Sequence, residues 1–185
     1  MKRIFIALKV IPEPSLIEIY SSFKSILRDE RITWVDPMNI HLTLAFLGDT
    51  EEERIEIAAV MLKQKCNGFG EFDFQLSGTD VFKNLRDPRV IVIGIKEFDR
   101  LRVLNELVKT GLKDTGFKIE ERPFKPHITI GRIKYLKNHE DLKLTVEKYH
   151  DTPVQKVTTR EVILYESILK PTGPIYKPLG IFRLK

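Results

Sequence analysis

Residues 39–47 read Asn39-Ile40-His41-Leu42-Thr43-Leu44-Ala45-Phe46-Leu47, and residues 127–132 echo them as His127-Ile128-Thr129-Ile130-Gly131-Arg132. Each copy is a His-x-Thr triplet with apolar residues between and after. On a strand, residues i and i+2 point to one face. Each copy therefore sets an imidazole beside a hydroxyl, while Leu42 and Leu44, or Ile128 and Ile130, turn the other way into a core. The chain has four histidines, and two of them sit in this arrangement. The two triplets together read as one site assembled from two halves of a repeated chain.

The surroundings of the triplets repeat as well. Arg3–Val10 and Val90–Ile95 are nearly continuous apolar runs that predict buried strands. After the first, Leu16, Ile19, Tyr20, Phe23, Ile26 and Leu27 form a helical stripe with Pro14 suited to its first turn. After the second, Leu101, Leu104, Leu107 and Val108 do the same behind Asp99, a candidate cap. Pro14 lies 27 positions before His41, Asp99 28 before His127, and a proline (Pro37, Pro123) stands four residues before each motif histidine. Trp34 falls in a short extended piece ended by Pro37. Beyond the first triplet, Thr50 and Glu53 have capping-box spacing, followed by a helix with Ile55, Ala58, Ala59 and Leu62, and a strand with Phe72, Phe74 and Leu76. Beyond the second, a helix is expected over about 139–149, then strands over 161–169 and 176–184. The expectation is a duplicated α+β unit, with motif strands facing each other across a pseudo-twofold axis. No Gly- or Ser-rich linker separates the halves, so 1–185 is read as a single domain of two lobes, approximately 1–85 and 86–185, with exchange of the closing strands between lobes left open.

Composition bounds the partners. Of 185 residues, 42% are hydrophobic and 31% charged, as in globular domains. No apolar run approaches the roughly 20 residues that span a bilayer, and the first strand is too short and charged for a secretory signal. Cys66 is alone, so no internal disulfide can form, which suits a cytoplasmic location. The net charge of +5 mildly favours a polyanionic partner. There is no metal-ligand spacing, no Gly-rich phosphate loop and no nucleophile elbow. Neither a metal nor a cofactor is expected, and nothing demands more than a monomer.

Two imidazoles in one cavity supply an acid and a base near neutral pH. Displacement at phosphorus uses both, one nitrogen taking the proton of the attacking oxygen and the other protonating the leaving oxygen. Thr43 and Thr129 are placed to donate to the phosphoryl oxygens. Arg132 is a further substrate-binding candidate, although its parity on the strand requires a bulge or the strand's end to re-aim it at the site. Phe46 could stack on a base or pack in the core, and Trp34 suits the core better. Lys125 and Arg122 could steer phosphates or form a solvated rim, while His139 and His150 read as surface residues. A single histidine beside an apolar run is usually structural; the duplication is what argues for catalysis.

These motifs resemble those of the two-histidine phosphoesterase superfamily and its LigT-like branch, RNA 2′,3′-cyclic phosphodiesterases also called 2′-5′ RNA ligases. RIFIALKVIP resembles the opening strand of that family, WVDPMNIHLTLAFLG and RPFKPHITIGR its two motifs, and ESILKPTGPIYKPLGIFRL its closing strands. The resemblance implies a two-lobe fold with antiparallel sheets facing across a central cleft and helices outside. It also implies hydrolysis of a terminal 2′,3′-cyclic phosphate to a 2′-phosphate, with His41 as proton donor and His127 as acceptor. The same site could join such an end, for instance on a tRNA fragment, to a 5′-hydroxyl, and a non-catalytic nucleotide- or RNA-binding module is the third reading. Met38 stands where a Glu is frequent; Ser167 and Tyr176 look like family positions without a role the residues disclose.

Overall fold

The structure, a computed structural model, describes residues 1–171 and 173–185; of the closing stretch quoted above, only Thr172 lies outside the described residues. The strands are β1 (Lys2–Lys9), β2 (Arg31–Trp34), β3 (His41–Thr50), β4 (Phe72–Phe82), β5 (Val90–Lys96), β6 (His127–Tyr135), β7 (Pro153–Thr159), β8 (Glu161–Lys170) and β9 (Gly173–Arg183). The helices are α1 (Pro14–Ile26), α2 (Glu52–Cys66), α3 (Asp99–Asp114) and α4 (His139–Tyr149). The strands form one curled antiparallel sheet in the order β7-β4-β5-β6-β3-β1-β8-β9, with β2 added to β6. No helix among the described residues is long and apolar enough to cross a membrane.

Local chemistry explains most boundaries. Pro14 occupies the first turn of α1, where a missing N–H costs nothing. Asn138 caps α4 by accepting from the N–H groups of Glu140 and Asp141. Two sequence expectations need correction. Thr50 is the last residue of β3 and donates to the Gly48 carbonyl, so Glu51 rather than Thr50 precedes α2 and no capping box forms. Asp99 is the first residue within α3 and pairs with Arg102 instead of capping.

Packing crosses the approximate division near residue 85. α1, β2 and β4, from the first half, pack with β5, β6, β7 and α4; α3, β8 and β9, from the second, pack with β1, β3 and α2. Helical periodicity shows that α1 has an apolar face, but not which distant strands that face will cover. The interchange leaves one continuous apolar cluster running from Ile4 to Leu184 beneath both lobes. A small second cluster, Phe5, Ala7, Ile163 and Tyr165 with Tyr176 against it, sits on the other face of the sheet.

Two features of the sheet create a cleft. First, the β6 edge is shared. β2 pairs with it from Gly131 to Tyr135, a 3₁₀ turn at Pro37–Asn39 leaves the sheet, and β3 returns for the single pair Leu42–Ile128 before diverging to β1. Second, both motif strands bulge at the same place. Ala7 opposes Thr43 and Ile6 opposes Ala45, leaving Leu44 extra; Val92 opposes Thr129 and Ile91 opposes Gly131, leaving Ile130 extra. A bulge shifts the facing of every residue after it. Leu44 and Ala45 are therefore both buried, as are Ile130 and Gly131, and Phe46 and Arg132 emerge exposed on the His/Thr side. Gly131 has no room for a side chain, since a Cβ would lie 3.1 Å from Ile32 Cγ2 and from the Trp34 ring.

Each bulged carbonyl is held. The Val35 N–H donates to the Ile130 carbonyl at 3.0 Å. Asn105 Nδ2, on α3, donates to the Leu44 carbonyl at 2.7 Å, and Asn105 is fully buried within the apolar stripe. Removing a buried donor leaves its acceptor unpaired. Asn105→Leu is therefore expected to lower unfolding free energy by about 1–3 kcal/mol in urea titrations; an unchanged midpoint would show that the bulge does not depend on it.

Candidate active site

The Leu42–Ile128 pair sends both leucine and isoleucine into the core, and each is fully buried. Their neighbours in sequence consequently face the opposite side together. By register, His41 lies across from Thr129 and Thr43 across from His127. The two histidines are then diagonal neighbours, with Cβ atoms on the order of 7 Å apart, room enough for one tetrahedral group between the rings.

Both imidazoles are oriented by the same device. His41 Nδ1 lies 2.6 Å from the Asn39 carbonyl oxygen and His127 Nδ1 2.7 Å from that of Lys125. A carbonyl only accepts, so each Nδ1 carries the hydrogen and each Nε2 is left for chemistry. The first carbonyl is itself anchored, because Asn39 Nδ2 donates to the Pro174 carbonyl at 3.0 Å, tying the turn to the start of β9. Tyr20 supports the same segment from α1 by donating to the Val35 carbonyl at 2.8 Å. Ring contacts complete the positioning. His41 packs against Phe5 and, edge-on, against Tyr176; His127 packs edge-on against Phe82.

His41, Thr43, His127, Thr129 and Arg132 line one cleft of about 650 Å³, bounded by Thr33–Asp36 on one side and Tyr176 on another. The bulge at Ile130 supplies the re-aiming that Arg132 needs to reach it. Phe46 and the Lys125 side chain are not brought to the cleft. Phe46 lies past the Leu44 bulge, 51% exposed, under the Arg3 guanidinium at 4.9 Å, and Lys125 points outward while only its carbonyl serves the site. Asn39, Phe82 and Thr33 are site residues that the sequence reading did not single out. Asn39 and Thr33 lie just ahead of the first triplet, but nothing in their spacing announces a supporting role.

The environment disfavours a second positive charge. Burial is the main reason that the His41 imidazolium is destabilised, opposed by the Asn39 carbonyl and reinforced by Arg132 and His127. Burial likewise lowers the His127 pKa, with Arg132 adding to the effect and the Lys125 carbonyl opposing it. Asp36 is the only carboxylate among the described residues lining the cleft, and its side chain accepts from the Met38 N–H. Anionic groups therefore meet a hydroxyl- and cation-lined wall. The lining suits an anionic ligand and presents two imidazole nitrogens that can exchange protons near neutral pH.

Comparison with known proteins identifies the family. The model for LigT-like phosphoesterases matches twice, over residues 8–92 and 93–176, so the duplication seen in the motifs extends through both halves. The chain belongs to the LigT-like phosphoesterases. It is 40% identical over 177 residues to an RNA 2′,3′-cyclic phosphodiesterase of Thermotoga maritima, covering 96% of this chain and 92% of that protein. A Methanocaldococcus jannaschii protein of the same name is 34% identical, with 95% and 96% covered. Among solved structures, a Thermus thermophilus protein superposes with a TM-score of 0.78 at 27% identity, covering 98% of this chain and 97% of that one. Escherichia coli LigT complexed with 3′-AMP gives 0.74 at 24%, with 100% and 98% covered, and shares the fold.

The charge environment yields a direct test. In NMR titrations both His41 and His127 should protonate below the ordinary histidine value of about 6.5, and Arg132→Gln should move both midpoints upward, because it removes a cation that opposes imidazolium formation. Midpoints that do not move would place the guanidinium too far from the rings to act on them.

Proposed function

We propose that this protein hydrolyses the 2′,3′-cyclic phosphate at an RNA end to a 2′-phosphate, without a metal. The observation that carries the reading is the matched tethering of two imidazoles, each Nδ1 on a backbone carbonyl and each ring beside a threonine in one cleft. The names of the relatives point the same way.

The reaction proceeds as one displacement. His127 Nε2 takes a proton from water as its oxygen bonds to phosphorus. The bond from phosphorus to O3′ breaks, and His41 Nε2 gives its proton to the departing O3′. Thr43, Thr129 and Arg132 donate to the non-bridging oxygens, where negative charge accumulates. The products are a 2′-phosphate and a free 3′-hydroxyl, with His127 protonated and His41 neutral; exchange with solvent resets them. The donor and acceptor roles follow the family resemblance, since both rings carry the same Nδ1 tether to a backbone carbonyl and the tether does not distinguish them.

Three outcomes are expected. His41→Ala and His127→Ala should each reduce turnover of a nucleoside 2′,3′-cyclic phosphate by about 10²–10⁴-fold, the wild type should be unaffected by excess chelator, and the isolated product should be the 2′ isomer. Retained turnover in either variant would sink the mechanism. The profile of kcat/KM against pH reports the free enzyme. Since both imidazoles titrate low, the form with one proton shared between them is most populated below about pH 6.5, and the optimum of kcat/KM should fall there.

A further inference from the structure

β6 carries a second irregularity beyond the one at Ile130. Thr33 opposes Arg132, Ile32 opposes Ile133 and Arg31 opposes Tyr135, leaving Lys134 extra. Ile133 is buried and Ile32 packs against the core. Residues paired directly across an antiparallel ladder share a face. Arg31, Thr33, Arg132 and Tyr135 therefore all lie on the face that the cleft opens onto, and Thr33 and Arg132 line the cleft itself. The two bulges together turn His127, Thr129, Arg132 and Tyr135 to one side of a single strand.

Tyr135 is unlike the other four tyrosines, which are buried or half-buried; it is 55% exposed. Among the described residues, no aromatic ring packs on it and no hydrogen bond engages its hydroxyl. Arg31 and Lys134 flank it, both exposed. Neither has a carboxylate within ion-pair distance among the described residues. The carboxylate adjoining Arg31 in sequence, Glu30, is occupied by the N–H groups of Lys137 and Asn138. In the other lobe, the position equally far past the motif histidine is Asp49, an exposed anion. The β3 side has its own cation and ring, Arg3 over Phe46, but the two are engaged with each other and Asp49 pairs in register with Arg3, whereas on the β6 side the Tyr135 ring and the two cations are uncommitted among the described residues.

We infer that Tyr135, Arg31 and Lys134 form an accessory subsite for the penultimate nucleotide of an RNA whose cyclic end occupies the cleft. This rests on the proposed phosphodiesterase reading and narrows it to oligonucleotide ends. Thr33 and Arg31 are two residues apart on β2, so Arg132 and Tyr135 are separated along the sheet by about 7 Å, roughly one step of an extended strand. Arg31 and Lys134 neutralise the phosphodiester on the 5′ side of the terminal nucleoside, and the next base stacks on the Tyr135 ring. Stacking of this kind tolerates any base, so the subsite adds affinity without sequence preference.

The test compares a nucleoside 2′,3′-cyclic phosphate with a trinucleotide ending in the same group. The trinucleotide should be favoured about tenfold in kcat/KM by the wild type, mostly through KM, with an advantage that shrinks as salt rises. Tyr135→Ala and Arg31→Ala should each remove most of that advantage and leave the mononucleotide unchanged, while Tyr135→Trp should preserve it. If the two substrates turn over alike in the wild type, if the variants slow both equally, or if tryptophan does not substitute, the subsite is overturned. Turnover of neither substrate would instead remove the reading of the cleft on which it rests.

Discussion

A single backbone contact between two strands organises this protein. Among the described residues, β3 and β6 pair in the sheet only at Leu42 and Ile128, and those side chains are driven into the core. Burying the pair forces the residues on either side of each to the opposite surface. Two histidines and two threonines consequently meet with no contact among themselves required to hold them. Because a one-residue slip in register would exchange the faces of the whole quartet, the apolar core is what secures the polar site. The bulges at Leu44 and Ile130, the turn at Pro37–Asn39 and the carbonyl tethers then refine a placement already made.

The doubling is close in backbone and loose in side chains. Bulge position and imidazole tether are the same in both halves. What surrounds them differs: Phe5 and Tyr176 enclose His41, Phe82 alone abuts His127, and the place of Arg132 in the second half is taken by Phe46 in the first. The displacement proposed above needs unlike partners on its two sides, one taking a proton from the attacking oxygen and one giving a proton to the leaving oxygen. A symmetric frame with unsymmetrical neighbours meets that need, and it also gives the cleft one charged flank and one aromatic flank.

Much of this was legible in the order of residues. Period-two alternation marked the motif strands, the 3.6-residue stripes marked α1 and α3, and the spacing of His from Pro marked the repeat. The parity of Arg132 indicated that either a bulge or the end of the strand had to re-aim it, and the structure shows the bulge at Ile130. Other features left no local trace. Asn105 lies where an apolar residue would fit the helical pattern, and only its carbonyl partner on β3, 61 positions away, explains it. The capping role of Thr50 failed because the strand continued to pair with β1 through that residue. The exchange of helices between lobes depends on contacts between residues far apart in the chain, which periodicity does not encode. The exposure of Tyr135 likewise follows from a register shift against β2 that no count along β6 discloses.

That exchange of helices bears on how the molecule moves. α1 leaves β1 to roof the lobe built around β5, and α3 leaves β5 to roof the one built around β3. The connectors that lead into α1 and α3 thus tie the lobes together, while each helix rests on one lobe and the sheet joins them at the β3–β6 pair. Each imidazole is tethered to a carbonyl of its own lobe, so a shift of one lobe against the other would change the gap between the rings and leave both tethers intact.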